Sequence, residues 1–335
     1  MKPAERISAF VNLGKAIKDL SPEEKDELLW RAENNNNWFT KESVEFALQG
    51  ISFMLSPEKL DAWLSIYKLK EVENPKSLGL MLAGNIPGVG FHDLMCVILS
   101  GHQAVIKLSS SDEILMKWII KKLVEIDFRL EALIRIEEML KGMDAYIATG
   151  SDNSSRYFNY YFGKYPNVIR QNRTSVAVLT GNENSKDYIS LGKDIFQYYG
   201  LGCRNVSKIY IRSKDQLQDL LNALEVYASV GSHHKYHNNY DYNKSIYLVN
   251  LEEHLDNGFL LVKESEELIS PISVLFYEVY ASEEELSEKL DGLKKKIQCV
   301  VGNSSGRVPF GTAQTPEPWE YADEVDTMAF LLELS

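Results

Sequence analysis

Cys203 sits in the run Gly200-Leu201-Gly202-Cys203-Arg204-Asn205, between a helix-like apolar stretch at 189–199 and a strand-like one at 208–211. Glycines end helices and permit tight backbone turns, so a thiol here is expected to face a cleft. The neighbouring Arg204 favours thiolate over thiol, pulling down a reference pKa of ~8.5. A thiolate so placed attacks a carbonyl or thioester carbon. The competing role for an unpaired cysteine is that of a small buried hydrophobe. Cys96 and Cys299 fit that second role, since the runs 94–99 and 297–301 around them are continuously apolar. Three cysteines without paired spacing argue against a disulfide framework. No CxxC or Cys/His spacing marks a zinc site. His233 and His237, with His234 between them, would share a helix face at i and i+4, yet the glutamate of HExxH is missing. A polar loop is the expectation there.

The elements that must position such a thiol alternate strand and helix. Residues 77–83 read as an apolar strand, followed by the loop Gly84-Asn85-Ile86-Pro87-Gly88-Val89-Gly90. A helix at 91–99, a strand at 103–108, helices at 112–124 and 131–141 and a strand at 144–149 follow. This β-α-β alternation predicts a parallel sheet with helices on both faces. Ligands bind at the carboxyl ends of such strands. Three polar turns follow strand ends, at Asn85, at Lys107 and at Gly150-Ser151. None of them matches GxGxxG or a Walker loop.

The first seventy residues are helical by their start signals. Ser21-Pro22-Glu23-Glu24 supplies an N-cap, a first-turn proline and a capping-box glutamate. Ser56-Pro57 repeats the first two, and Thr40 is a further cap. Trp30, Trp38, Phe46, Phe53, Trp63 and Tyr67 fall near helical spacing and are predicted to be core. Tyr157, Tyr160, Tyr161 and Phe162 are predicted to pack a helix onto the sheet. The apolar run 325–334 predicts a final strand.

Bulk properties narrow the class. A chain of 335 residues is long enough for two domains with well-filled cores. A net charge of −12 disfavours a nucleic-acid surface, which needs clustered basic residues. Nothing behind Met1-Lys2-Pro3-Ala4-Glu5-Arg6 resembles a signal peptide. No stretch approaches the roughly 18 apolar residues that span a bilayer. The expected setting is reducing and cytoplasmic.

Taken in order, Asn85-x-Pro87 after a strand, a strand ending in Lys107, Thr149-Gly150-Ser151, Gly-x-Cys203, and Glu267 four residues before Pro271 form a series. Over roughly residues 77–276 it resembles the aldehyde dehydrogenase superfamily. The resemblance implies an α/β fold of two parallel-sheet domains with the active site in a cleft between them. It implies Cys203 as nucleophile and Asn85 as an oxyanion-hole donor. Lys107 would contact the adenosine ribose, Gly150 and Ser151 the cofactor, and Glu267 the nicotinamide ribose. Hydrolytic members carry a general-base glutamate in a Glu-x-Gly-Gly segment some thirty residues before the cysteine. Here the stretch Val168-Ile169-Arg170-Gln171-Asn172-Arg173-Thr174-Ser175 has no carboxylate. The chain therefore looks like the acyl-CoA reductase branch, the luminescence-type fatty acyl reductases, and the run Phe310-Gly311-Thr312-Ala313-Gln314-Thr315-Pro316 is similar to that branch too.

The resemblance implies NADPH, or NADH, as reductant and coenzyme A as leaving group, with an acyl-CoA or acyl-protein donor. The histidine loop would then lie near the acyl or coenzyme A path. It also implies a homodimer, because the end of the chain often pairs with another subunit. The expected organisation is a helical scaffold plus nucleotide domain over 1–181, a catalytic domain over 182–302 and a C-terminal segment over 303–335. Within the superfamily an acyl-phosphate reductase and an ordinary aldehyde dehydrogenase are the alternatives, and outside it a non-catalytic nucleotide-binding protein.

Overall fold

A computed structural model describes residues 1–150 and 152–334. The chain divides into two compact units, Met1–Asn172 with Pro316–Ser335, and Arg173–Thr315. The division falls ahead of residue 174 rather than at 181, because the strand starting at Thr174 pairs with strands of the second unit. Nor does 303–335 stand alone. Its first part stays with the second unit and the rest returns to the first.

The first unit opens with four helices, α1 (Pro3–Lys18), α2 (Pro22–Asn35), α3 (Lys41–Met54) and α4 (Pro57–Leu64). The Ser21–Glu24 capping box forms in both directions, and Thr40 Oγ1 accepts the Ser43 N–H. Phe10, Leu13, Val44, Leu48, Leu60 and Trp63 bury into one core with the first sheet and its helices. Trp30 and Phe53 are exposed instead, at 57% and 38%. The stripe that α2 buries is Leu28, Leu29 and Ala32, and Trp30 lies outside it.

Next come β1 (Ser77–Met81), α5 (Phe91–Ser100), β2 (Gln103–Lys107), α6 (Glu113–Ile126), β3 (Ile134–Ile136), β4 (Ala145–Thr149), α7 (Asp152–Phe162) and β5 (Asn167–Arg170). The strands form a parallel sheet in the order β3-β2-β1-β4-β5. The helix expected over 131–141 is a 3-10 turn, Phe128–Leu133, followed by β3. Ile134 and Ile136 pair with Ala104 and Ile106, so the open edge of β2 claims this backbone. On α7 only part of the aromatic cluster packs inward. Phe162 stacks on Tyr146 with centroids 4.1 Å apart, whereas Tyr157, Tyr160 and Tyr161 are all exposed.

The second unit contains β6 (Thr174–Val178), α8 (Ser185–Phe196), β7 (Val206–Ile211), α9 (Gln216–Leu224), α10 (His234–Val249), β8 (Leu255–Asp256), β9 (Leu261–Glu264), β10 (Val274–Val279), α11 (Glu283–Leu293) and β11 (Ile297–Val301). Its sheet runs β11-β6-β7-β10-β9-β8, parallel except for the antiparallel edge strand β8. The histidine run is the start of α10 rather than a loop, with His233 Nδ1 accepting the Tyr236 N–H as the cap.

The chain ends in a helix of the first unit, α12 (Thr327–Glu333), not in a strand. Asp326 Oδ1 caps it through the Ala329 N–H at 2.8 Å. Met328 and Leu331, three residues apart, are both buried in the core that holds α5. Helical spacing of the buried pair and a good cap outweigh the strand tendency of its few β-branched and aromatic residues.

Candidate active site

In the first unit the chain runs β1, β2, β3 outward to one side, then returns to β4 and β5 on the other side of β1. The reversal makes a crevice outside the carboxyl ends of β1 and β4, where open α/β sheets bind ligands. Asn85 follows β1, Lys107 ends the adjacent β2 and Gly150 follows β4, so three of the expected positions meet at one sheet edge. Ser151, expected beside Gly150, lies outside the described residues.

Local sequence explains how the loop presents Asn85. Asn85 is exposed, while Pro87 and Gly88 behind it are buried. Gly88 takes a left-handed φ of 69° and donates its N–H to Asp112 Oδ2 at 2.9 Å. A Cβ on Gly84 would come within 2.6 Å of the Ser109 Cβ, so glycine is required for the loop to lie on the β2–α6 turn. Burial pushes the Asp112 carboxyl well above its usual range, the Gly88 N–H opposing this only in part. Its Oδ1 is buried with no hydrogen-bond partner among the described residues. At Gly150, a Cβ would meet Ser154 and Phe158 side-chain atoms at 2.8 Å, so the missing side chain lets the start of α7 approach the end of β4.

In the second unit Cys203 lies on a turn just before β7, half-buried and not disulfide-bonded. Helix α8 stops at Phe196, and Tyr198, Tyr199 and Gly200 then take left-handed φ values of 54°, 57° and 80°. Two such non-glycine residues in succession cost on the order of 1–3 kcal/mol each and persist only where surroundings over-determine them. Here Asn205 does so. Its Oδ1 accepts the Gly202 N–H at 2.8 Å, and its Nδ2 donates to the carbonyls of Asp194, Ile195 and Gln197 at 3.0, 3.3 and 2.7 Å. On the other side, Ser175 Oγ donates to the Cys203 carbonyl at 3.1 Å and lies 3.1 Å from Cys299 Sγ. Cys299 is therefore half-buried beside this turn, not a core residue. Cys96 does lie in a core, fully buried in α5, and burial pushes its thiol up.

Glu267 is exposed on the loop between β9 and β10. That loop is tied to the strand leaving Cys203. Ser207 Oγ donates to the Leu268 carbonyl at 2.9 Å, and Lys208 Nζ to the Ser265 carbonyl at 2.8 Å. Lys208 is fully buried, which lowers its pKa, and it also pairs with Glu278 at 2.6 Å.

Asp194 was not foreseen from sequence. Fully buried in the last turn of α8, it accepts the N–H groups of Gly311 at 2.6 Å and Ala313 at 3.0 Å. The 310–315 run is thereby fixed to the helix that leads to Cys203. Burial raises the Asp194 carboxyl from 3.8 to about 6, against the pull of those two donors. An acid near a helix C-terminus opposes the macrodipole, and that was the available signal in the sequence.

Arg170 ends β5, in the carboxylate-free stretch. It is buried, with Nη1 2.6 Å from Asp93 Oδ2 and Nη2 donating to Thr327 Oγ1 at 2.8 Å. His233 rests against the Tyr199 ring, centroids 4.3 Å apart. Among the described residues no group of three or more His, Cys, Asp or Glu is placed to hold a metal ion, and no helix is long and apolar enough to cross a membrane.

The fold is that of the aldehyde dehydrogenases. Solved structures similar to this chain include an aldehyde dehydrogenase from Bacillus cereus in complex with NAD+, at 12% identity over 91% of this chain and 72% of that one, TM-score 0.64. Aldehyde dehydrogenase 21 from Physcomitrella patens, in complex with succinate, matches at 11% identity over 91% and 74%, TM-score 0.65. A Mycobacterium tuberculosis aldehyde dehydrogenase complexed with NAD+ matches at 12% over 85% and 70%, TM-score 0.62. No curated protein matches the chain. The family model described as acyl-CoA reductase (LuxC) matches residues 14–232, nearly two thirds of the sequence. The chain belongs to that family, and with it to the oxidoreductases that work on acyl and aldehyde groups.

Proposed function

We propose that this protein reduces a fatty acyl-CoA to the aldehyde with NADPH through a thioester on Cys203. The observation that carries the reading is the pairing of an intact Cys203 turn with a stretch, 168–175, that offers no carboxylate to activate water. Arg170 within that stretch instead ion-pairs with Asp93.

A nicotinamide nucleotide fits the carboxyl edge of the first sheet. The β1/β4 reversal provides the crevice, Lys107 a cation at its side, and Gly150 the bare backbone at the strand end. Lys107, Gly150 and Ser151 are proposed to hold it, with Glu267 proposed for the nicotinamide ribose. Once bound, it supplies the hydride.

The protein's own groups do the rest. The Cys203 thiolate attacks the acyl-CoA carbonyl, and the new C–S bond forms as the carbonyl electrons move onto oxygen. The Asn85 side chain and the Cys203 N–H receive that oxyanion. Its collapse expels coenzyme A thiolate and leaves the acyl group on Cys203. After reduction of the thioester carbon, the second oxyanion collapses and releases aldehyde and the Cys203 thiolate. With no carboxylate in 168–175 to deprotonate water, the acyl-enzyme is proposed to resist hydrolysis and persist.

NADPH consumption with acyl-CoAs from short to long tests the proposal. Turnover that requires both the acyl-CoA and Cys203 is the expected result. Turnover by a Cys203→Ala enzyme would overturn it, as would inactivity on every acyl-CoA by a folded protein.

A further inference from the structure

We propose that Asn205 is a positioning residue that sets the pose of Cys203. Asn205 is 2% exposed and spends its whole amide on the turn. The acceptor end takes the N–H of Gly202, the residue immediately before the nucleophile. The donor end shares its hydrogens among the carbonyls of Asp194, Ile195 and Gln197, at and just beyond the end of α8, where helix carbonyls lose their i+4 partners. One side chain thus satisfies a helix terminus and fixes the start of the cysteine turn.

Backbone geometry supplies a second, independent line. The left-handed run Tyr198-Tyr199-Gly200 lies between those carbonyls and Gly202, so Asn205 spans the strained segment from both ends. Strain held in place at a functional turn is a mark of pre-organisation. Ser175 closes the other side by bonding the Cys203 carbonyl. Only a primary amide offers an acceptor and donors on one short stem. Aspartate would set an oxygen against three carbonyls, and serine would lose the donors' reach.

The role requires no contact between Asn205 and substrate. It acts by holding the thiol and the Cys203 N–H where the acyl carbonyl must arrive, and a misplacement of 1 Å costs about 10²-fold.

The inference rests on Cys203 being the nucleophile, so its test is read at the Cys203 peptide independently of turnover. Iodoacetamide labelling of Cys203 is followed by peptide mass across pH in wild type and Asn205→Asp, each checked for folding by thermal melting. The expected result is labelling slowed roughly tenfold or more with a displaced pH profile, and kcat down about 10²-fold at a near-constant KM for acyl-CoA. NADPH binding should be unchanged. If Asn205→Asp does not fold, Asn205→Ser, which removes the amide NH2 and its reach without adding charge, decides the question on the same readouts. A folded variant that labels Cys203 at the wild-type rate and pH profile would overturn the proposal. Turnover by Cys203→Ala would overturn the proposed reaction and leave this labelling result standing.

Discussion

The two units place their candidate site residues by different means. In the first unit Asn85, Lys107 and Gly150 are placed by regular structure, since each sits at or just beyond the carboxyl end of a parallel strand. In the second unit Cys203 is held by an irregular turn whose shape depends on side chains reaching backbone, from Asn205 and Ser175. Strand ends follow from a repeating ladder, which every residue of the sheet supports. A strained turn follows from a few particular contacts. The strand-end positions should therefore tolerate substitution better, and the Cys203 turn should be fragile and more sharply tuned.

The largest expected effect falls on the proposed nucleophile. Cys203→Ala should lower turnover by more than about 10³-fold, as loss of a covalent nucleophile does elsewhere. Cys96→Ala and Cys299→Ala should retain it, measured as NADPH oxidation with a saturating acyl-CoA. Asn85→Ala should follow with a loss of about 10²–10³-fold in kcat, the usual effect of removing one oxyanion donor. A larger effect at Asn205 than at Asn85 would sharpen the comparison toward pre-organisation, and no effect at Asn205 would break it.

The Asn85 loop has its own test. Gly84→Ala places a methyl against Ser109, which a packed site resists by about 1–3 kcal/mol. A lowered melting temperature with partial activity is expected, because the loop can shift away from the β2–α6 turn. Complete inactivation in a protein of unchanged stability would mean the strand-end positions are as finely set as the Cys203 turn.

The smallest effect is a pH dependence of stability from Asp194. Its carboxyl rises from 3.8 to about 6 in the fold. Between those values the folded state holds more protons than the unfolded state, so stability must fall as pH rises from about 4 to about 6. The drop is at most about 3 kcal/mol, from a shift of about two units at 1.36 kcal/mol each. Thermal melting of wild type and Asp194→Asn over that range should show a slope in the first that shrinks in the second. Equal slopes would remove Asp194 as its origin.

What the sequence made legible follows the same division. The capped helices, the parallel strands from Ser77 to Thr149 and the strand-end positions come from spacing and caps, which are local signals. The run at 131–141 misled because the bonds that make β3 a strand lie on β2, far off in the chain. The end of the chain misled because composition cannot show that Met328 and Leu331 meet the core around α5. Trp30, Tyr157, Tyr160 and Tyr161 are exposed despite their apolar area, since helical spacing gives a face but not what covers it. The turn that carries Cys203 was legible through its glycines. Asn205 was not, because its partners lie up to 11 residues back, at the end of a helix.

The measurement that bears most directly on the account is the fate of the acyl group when reductant is withheld. Protein incubated with an acyl-CoA and no NADPH should gain one acyl mass on the peptide containing Cys203 and release coenzyme A in equal amount. The adduct should persist in buffer, then discharge as aldehyde on adding NADPH or as acyl-CoA on adding coenzyme A. Label on Cys96 or Cys299, or rapid release of free fatty acid, would contradict a Cys203 thioester shielded from water.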